Sequence, residues 1–240
     1  MRLRAHGLWA LASTLLLWSG VAPEAPVADA AMRGDAAAVE SLLRSGADVN
    51  AAQGDGMTAL HWSAERGNTQ LIAMLIAAGA YLDAVTRLGD FTAMHIAARG
   101  GKGDVVRALT LAGADVTART STGGVTALHY AAASGSVDAV DALLERGAEV
   151  DVREEAWLQT PLMFAAATGR TEVVQTLAAA GANLGLTARV MDMDAREQED
   201  RADQRRQAEV QRRILMARDG RAPARRGGYG EPTGARQAEQ

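Results

Sequence analysis

The sequence predicts an all-α repeat solenoid, in which about five helix-turn-helix units stack side by side with an extended finger between units. Three observations carry this reading. Threonines stand at Thr58, Thr92, Thr126 and Thr160, each 34 residues after the last. Two glycine series keep the same beat: Gly67, Gly101, Gly135 and Gly169, then Gly79, Gly113, Gly147 and Gly181. Finally, 52 alanines against an aromatic share of 4% mean that small side chains fill the interior, which requires close helix packing. A fixed period of this length marks units that bury a face only against their neighbours.

Composition narrows the chemistry. The 240 residues are 48% apolar and 22% charged, too apolar for a disordered chain and enough for one domain or two small ones. The absence of cysteine removes disulfides, thiolate nucleophiles, iron-sulfur clusters and cysteine-bearing zinc sites. A net charge of -4, with Lys102 the single lysine among 25 basic residues, argues against nucleic acid as a partner.

The chain opens with Arg2 and Arg4, followed by an uncharged stretch, 7–23, around Leu8, Trp9, Leu11, Leu15, Leu16, Leu17 and Trp18. This predicts a secretory signal over 1–24, with the best small-residue cleavage pair at Gly20 and Ala22. The uncharged run of 17 residues also reaches the lower limit of a membrane span, so an uncleaved signal anchor is the alternative. The expected location is outside the cytoplasm: periplasmic or secreted, or anchored at the inner membrane through this segment alone.

Each unit then follows from its residues. A threonine such as Thr58 serves as N-cap, its hydroxyl accepting from an amide of the first turn, and a short helix runs to Gly67. Glycine stops it because a left-handed residue is needed there. A second helix carries Leu71, Ile72 and Leu75, positions that recur as Val105, Val106 and Leu109, as Ala139, Val140 and Leu143, and as Val173, Val174 and Leu177. That spacing makes one apolar face, and Ala64, Ala98, Ala132 and Ala166 allow close approach of neighbouring helices. Neither helix is long enough to stand alone.

The four motif copies read Thr58-Ala59-Leu60-His61-Trp62-Ser63-Ala64, Thr92-Ala93-Met94-His95-Ile96-Ala97-Ala98, Thr126-Ala127-Leu128-His129-Tyr130-Ala131-Ala132 and Thr160-Pro161-Leu162-Met163-Phe164-Ala165-Ala166. They resemble the Thr-Pro-Leu-His-x-Ala-Ala motif of the ankyrin repeat, and a degenerate first copy stands 33 residues before Thr58. The resemblance implies an ankyrin domain over 25–185, with repeats at about 25–56, 57–90, 91–124, 125–158 and 159–185, and β-hairpin fingers between them. The extra residue of the 34-residue period falls in the fingers, 84–91, 118–125 and 152–159, against 51–57 in the first. Where two fingers have Gly89 and Gly123 the last has Trp157, which implies a different turn or a side chain presented at the tip.

No catalytic constellation emerges, and no cofactor or metal is expected. His6 lies in the signal region, and His61, His95 and His129 are motif residues, whose rings the resemblance assigns to backbone hydrogen bonds between repeats. Stacked one repeat apart, at about 10 Å by helix spacing, they are too far apart for zinc at about 2 Å per ligand. Glu154 and Glu155 read as a solvated, charged finger tip, and Gly100-Gly101-Lys102-Gly103 as an inter-helix turn, not a phosphate loop.

Binding is the better-supported activity. In ankyrin repeats the concave face of fingers and first helices commonly holds protein partners, and by position the candidate contacts are Glu65, Arg66 and Arg99 on helices, with Arg87, Leu88, Phe91, Arg119, Arg153, Glu154 and Trp157 on fingers. Arginine and rigid aromatic groups favour Trp157, Phe91 and Arg119, with packing against a neighbouring finger the alternative for Phe91 and Trp157. Trp62, Ile96, Tyr130 and Phe164 are assigned to the core. Between 26 and 184 there are 18 acidic and 11 basic residues, a net of -7, which again excludes nucleic acid. The expectation is a monomeric, non-catalytic binding module or scaffold of bacterial, exported type. Alternatives are a membrane-anchored scaffold, an accessory subunit of a periplasmic enzyme, or a secreted effector.

Beyond the repeats, 186–219 is dense in both charge signs. Asp192 and Arg196, Glu197 and Arg201, and Glu209 and Arg213 stand four apart in the favourable order. This predicts a solvated helix whose apolar Val210, Ile214 and Leu215 would cap the last repeat. The glycine-rich stretch 220–240 is predicted to be disordered.

Overall fold

The computed structural model of the chain describes residues 24–189 and the helix 193–218, with side chains of that helix described from 200 to 216. The expected signal, apart from Glu24, and the expected tail lie outside the described residues. So does Asp192, the acidic member of the first expected pair.

Ten short helices form five pairs: α1 (Pro26–Arg33) with α2 (Ala36–Arg44), α3 (Ala59–Arg66) with α4 (Thr69–Ala77), α5 (Ala93–Arg99) with α6 (Gly103–Leu111), α7 (Ala127–Ser134) with α8 (Val137–Leu144), and α9 (Pro161–Ala167) with α10 (Thr171–Ala179). First helices pack on first helices from α1 to α9, and second helices on second helices from α4 to α10, giving two layers. Pro26 and Pro161 open α1 and α9, where a missing N–H costs nothing. Asn68 and Ser136 cap α4 and α8 by accepting from the amides of Leu71 and Ala139, and Gly67, at φ 72°, closes α3.

The core lies between the layers. Leu60, Leu71, Ile72 and Leu75 are buried with Val105, Val106, Leu109, Leu128, Val140, Leu143, Val173 and Leu177 in one continuous cluster. Ala64, Ala98 and Ala132 are fully buried, as helix contact requires, but Ala166 is exposed. It lies on α9, the last first helix of the row.

Beyond residue 189, the described helix α11 (Met193–Arg218) belongs to a second unit. Its side chains from 200 to 215 are exposed, Val210, Ile214 and Leu215 included. Of the expected charge pairs, Glu209 and Arg213 meet at 2.8 Å, and Asp203 with Arg206 adds a pair three apart. At such exposure each contributes a few tenths of a kcal/mol at about 0.3–0.5 per helical pair. Among the described residues no helix is long and apolar enough to cross a membrane.

Candidate functional site

The loops between pairs are held by the motif histidines. His61 Nδ1 accepts from the Thr58 amide at 3.2 Å and lies 2.8 Å from its hydroxyl, while Nε2 lies 3.0 Å from the carbonyl oxygen of Phe91. His95 and His129 repeat the arrangement with Thr92 and Ala118, and with Thr126 and Gln159. A backbone amide only donates and a carbonyl only accepts, so each ring is neutral with its proton on Nε2. The hydroxyls of Thr58, Thr92 and Thr126 therefore donate to their rings, and those of Thr92 and Thr160 accept from the amides of His95 and Met163 at 3.4 Å. Burial lowers the pKa of all three histidines, that of His129 to about 4, against the opposing pull of the carbonyl hydrogen bonds.

Paired strands are absent from the fingers among the described residues; Arg119 and Thr126 form an isolated bridge. Each loop is instead closed across its mouth by a main-chain bond, Gln53 to Met57, Thr86 to Phe91, Thr120 to Val125 and Glu154 to Gln159, at 2.9–3.0 Å, with a turn bond from Gly56 to Gln53 and from Gly124 to Thr120 in the first and third. Seven or eight residues leave little room for a ladder, and neighbouring loops bond to one another. The amides of Arg87, Ser121, Glu155 and Arg189 donate to the carbonyls of Asp55, Gly89, Gly123 and Trp157. At the position where Gly123 has φ 93°, Trp157 does not adopt positive φ, and Leu158 alone turns the fourth loop at φ 56°. Its turn is therefore different, as one of the two sequence readings held.

Between α3 and α5, loops 51–57 and 84–91 frame an open groove of about 330 Å³. Four of the expected contacts meet here: Glu65, Leu88, Phe91 and Arg99. Leu88 is 83% exposed. Phe91 is half-buried, packing 5.8 Å from Tyr130 and 6.1 Å from His95 between ring centres, with the Arg99 guanidinium 5.2 Å above it. It thus both packs and lines the groove. Asp55, Met57, Trp62, Thr86 and Ile96 complete the lining, and the sequence reading assigned Trp62 and Ile96 to the core. Ile96 is indeed buried, but Trp62 is half-buried. The signal lay in helix spacing, since Trp62 and Glu65, and Ile96 and Arg99, stand three apart and share one helix face.

The remaining expected contacts lie elsewhere. Arg66 donates from both Nε and Nη2 to the carbonyl of Met32 in the preceding repeat. Arg87 is exposed, its backbone amide tied to Asp55. Arg119 Nη1 donates to the carbonyls of Gly124 and Arg153, fastening the third finger to the fourth, and Arg153 is half-buried. Trp157 is 42% exposed on the fourth finger, away from the groove.

Glu154 corrects the picture of a solvated tip. It is 3% exposed, and its carboxylate accepts from the amides of Ala156, Trp157 and Gln159 at 2.7–2.9 Å. It takes the place held by Thr86 and Thr120, whose hydroxyls accept from Phe91 and Val125, but the longer side chain reaches three donors. Glu154→Ala strands these amides and is expected to lower stability by about 1–3 kcal/mol, measured by urea unfolding. Glu155→Ala, on the exposed neighbour, is expected to stay within about 0.5 kcal/mol.

Among the described residues, no group of three His, Asp or Glu is arranged to hold a metal ion. Comparison with known proteins gives a match to the family profile described as "Ankyrin repeats (3 copies)" over residues 27–120 and 119–188. Ankyrin repeat domain-containing protein 40 of mouse and that of human are each 36% identical over 63 residues, 26% of this chain. The match spans 17% of the length of those relatives.

Proposed function

This chain belongs to the ankyrin-repeat family, whose repeats are generally protein-protein interaction modules, and from that premise we propose that it is a non-catalytic binding module or scaffold acting outside the cytoplasm. The observation that carries the binding role is the groove between α3 and α5, in which Met57, Trp62, Phe91 and Ile96 stand beside Asp55, Glu65 and Arg99, with Leu88 left 83% exposed. The non-catalytic reading is supported by His61, His95 and His129, whose ring nitrogens all serve the loops.

The extracytoplasmic location rests on Arg2, Arg4 and the uncharged stretch 7–23. An intact signal would make the protein a membrane-anchored scaffold, and the same stack would serve as an accessory subunit of a periplasmic enzyme or as a secreted effector. Fractionation with mass measurement of the mature N-terminus separates these forms, and recovery of uncleaved protein from the cytoplasm would overturn export. For binding, crosslinked capture with wild type and Leu88→Ser is the test. Partner recovery is expected to fall at least about threefold for an exposed contact residue, with an unchanged melting curve. Equal recovery of every partner would remove the groove from the binding face.

A further inference from the structure

We propose that the groove between α3 and α5 takes an arginine or lysine side chain from an extended segment of a partner protein, seated against the Trp62 indole and paired with Asp55 and Glu65. A neighbouring aliphatic or aromatic side chain of the same segment rests on Leu88, Met57 and Ile96. This assignment rests on the protein-binding reading and adds the chemistry of the partner.

The two aromatic rings of the groove are not equivalent. Phe91 already carries a cation, the Arg99 guanidinium at 5.2 Å, while no cation lies over Trp62 among the described residues. Trp62 is held in place by its edge: Nε1 donates to Gln53 Oε1 at 2.8 Å, and Gln53 Nε2 donates to Asp29 Oδ1 at 2.5 Å. A fixed indole with its N–H satisfied offers a surface for an apolar or cationic group at little entropic cost.

The charges beside it point the same way. The Glu65 side chain forms no ion pair or hydrogen bond among the described residues, and the Asp55 carboxylate uses one oxygen, Oδ1, to accept from the Met57 amide at 2.9 Å. Arg99 is the cation of the lining, and it sits over Phe91. An acidic segment would meet two carboxylates, and an uncharged one would desolvate them without a partner. A guanidinium or ammonium group satisfies both and repeats on Trp62 the arrangement that Arg99 makes on Phe91.

The test is selection of a displayed library of random dodecapeptides on the full chain, followed by anisotropy measurements with the enriched peptides. The expected result is enrichment of arginine or lysine next to leucine, isoleucine, methionine or an aromatic residue. Binding should weaken about tenfold in Glu65→Gln, the loss of a charged hydrogen-bond partner, and should weaken with rising salt. Leu88→Ser should weaken the same peptides, while Glu172→Gln, the same charge change on α10, should leave binding unchanged, with matched melting curves throughout. Enrichment of acidic or uncharged peptides that compete at Leu88 overturns the cation assignment and leaves the protein-binding role standing. Cationic peptides indifferent to Glu65→Gln, or no enrichment at all, overturn it too, while partner capture with Leu88→Ser judges the protein-binding role independently.

Discussion

Leu128→Ala is expected to lower the stability of the repeat domain by about 2–5 kcal/mol, measured by urea unfolding at neutral pH. Leu128 is fully buried on α7, which packs against α5, α8 and α9. Truncation removes three carbons from the cluster, and the neighbours cannot close the gap easily. The cluster around it includes Ala97, Ala98, Ala131, Ala132 and Ala165, all at 0% exposure and too short to swing inward. Because each unit is stabilised by its neighbours, the loss weakens both interfaces of the fourth repeat. An unfolding midpoint equal to that of the wild type would show that α7 does not form the centre of the stack.

Acidification from pH 7 to about 4 is expected to remove about 3 kcal/mol of stability through His129 alone, from its shift between 6.5 and about 4. In the unfolded chain each histidine takes up a proton as pH falls through about 6.5, whereas burial keeps the native His129 neutral down to about 4. The unfolded state therefore binds more protons in this window, so stability is full above pH 6.5 and declines as pH falls. His61 and His95 act in the same direction. Protonation would set an Nδ1–H against the Thr126 amide, which itself donates to that nitrogen at 3.3 Å. Nitrogen-correlated NMR should find His129 neutral and protonated on Nε2 at pH 5.5, and His129→Gln should flatten the pH dependence of unfolding. A ring that titrates near 6.5 would contradict the hydrogen-bond assignment. The fifth repeat, with Met163 in the histidine position, contributes nothing to this effect.

Much of the fold was legible because it is periodic. The threonine and glycine series marked helix starts and stops, and the apolar positions of α4, α6, α8 and α10 fell where the buried residues are, apart from the half-buried Val174. The binding candidates were legible only as positions. Alignment by period places Glu154 with Thr86 and Thr120, but cannot show that a longer side chain turns back to hold three amides. It likewise cannot show that Arg119 and Arg66 reach carbonyl groups 34 residues away along the chain. Trp62 was read as core because apolar character marks the core only on average, and a ring on a first helix faces both the stack and the groove.

The sequence by itself determined the repeat length, the helix pairs and the alanine contacts of Ala64, Ala98 and Ala132. These follow from local rules of capping, left-handed glycine and helical spacing, repeated often enough to stand above chance. Only the tertiary structure decided which exposed positions remain free. That depends on how far side chains reach between loops stacked against one another, a relation between residues far apart in sequence. Arg66 and Arg119 are held by such contacts and Glu154 by amides of its own loop, while Asp55, Trp62, Glu65 and Leu88 are brought together around one groove.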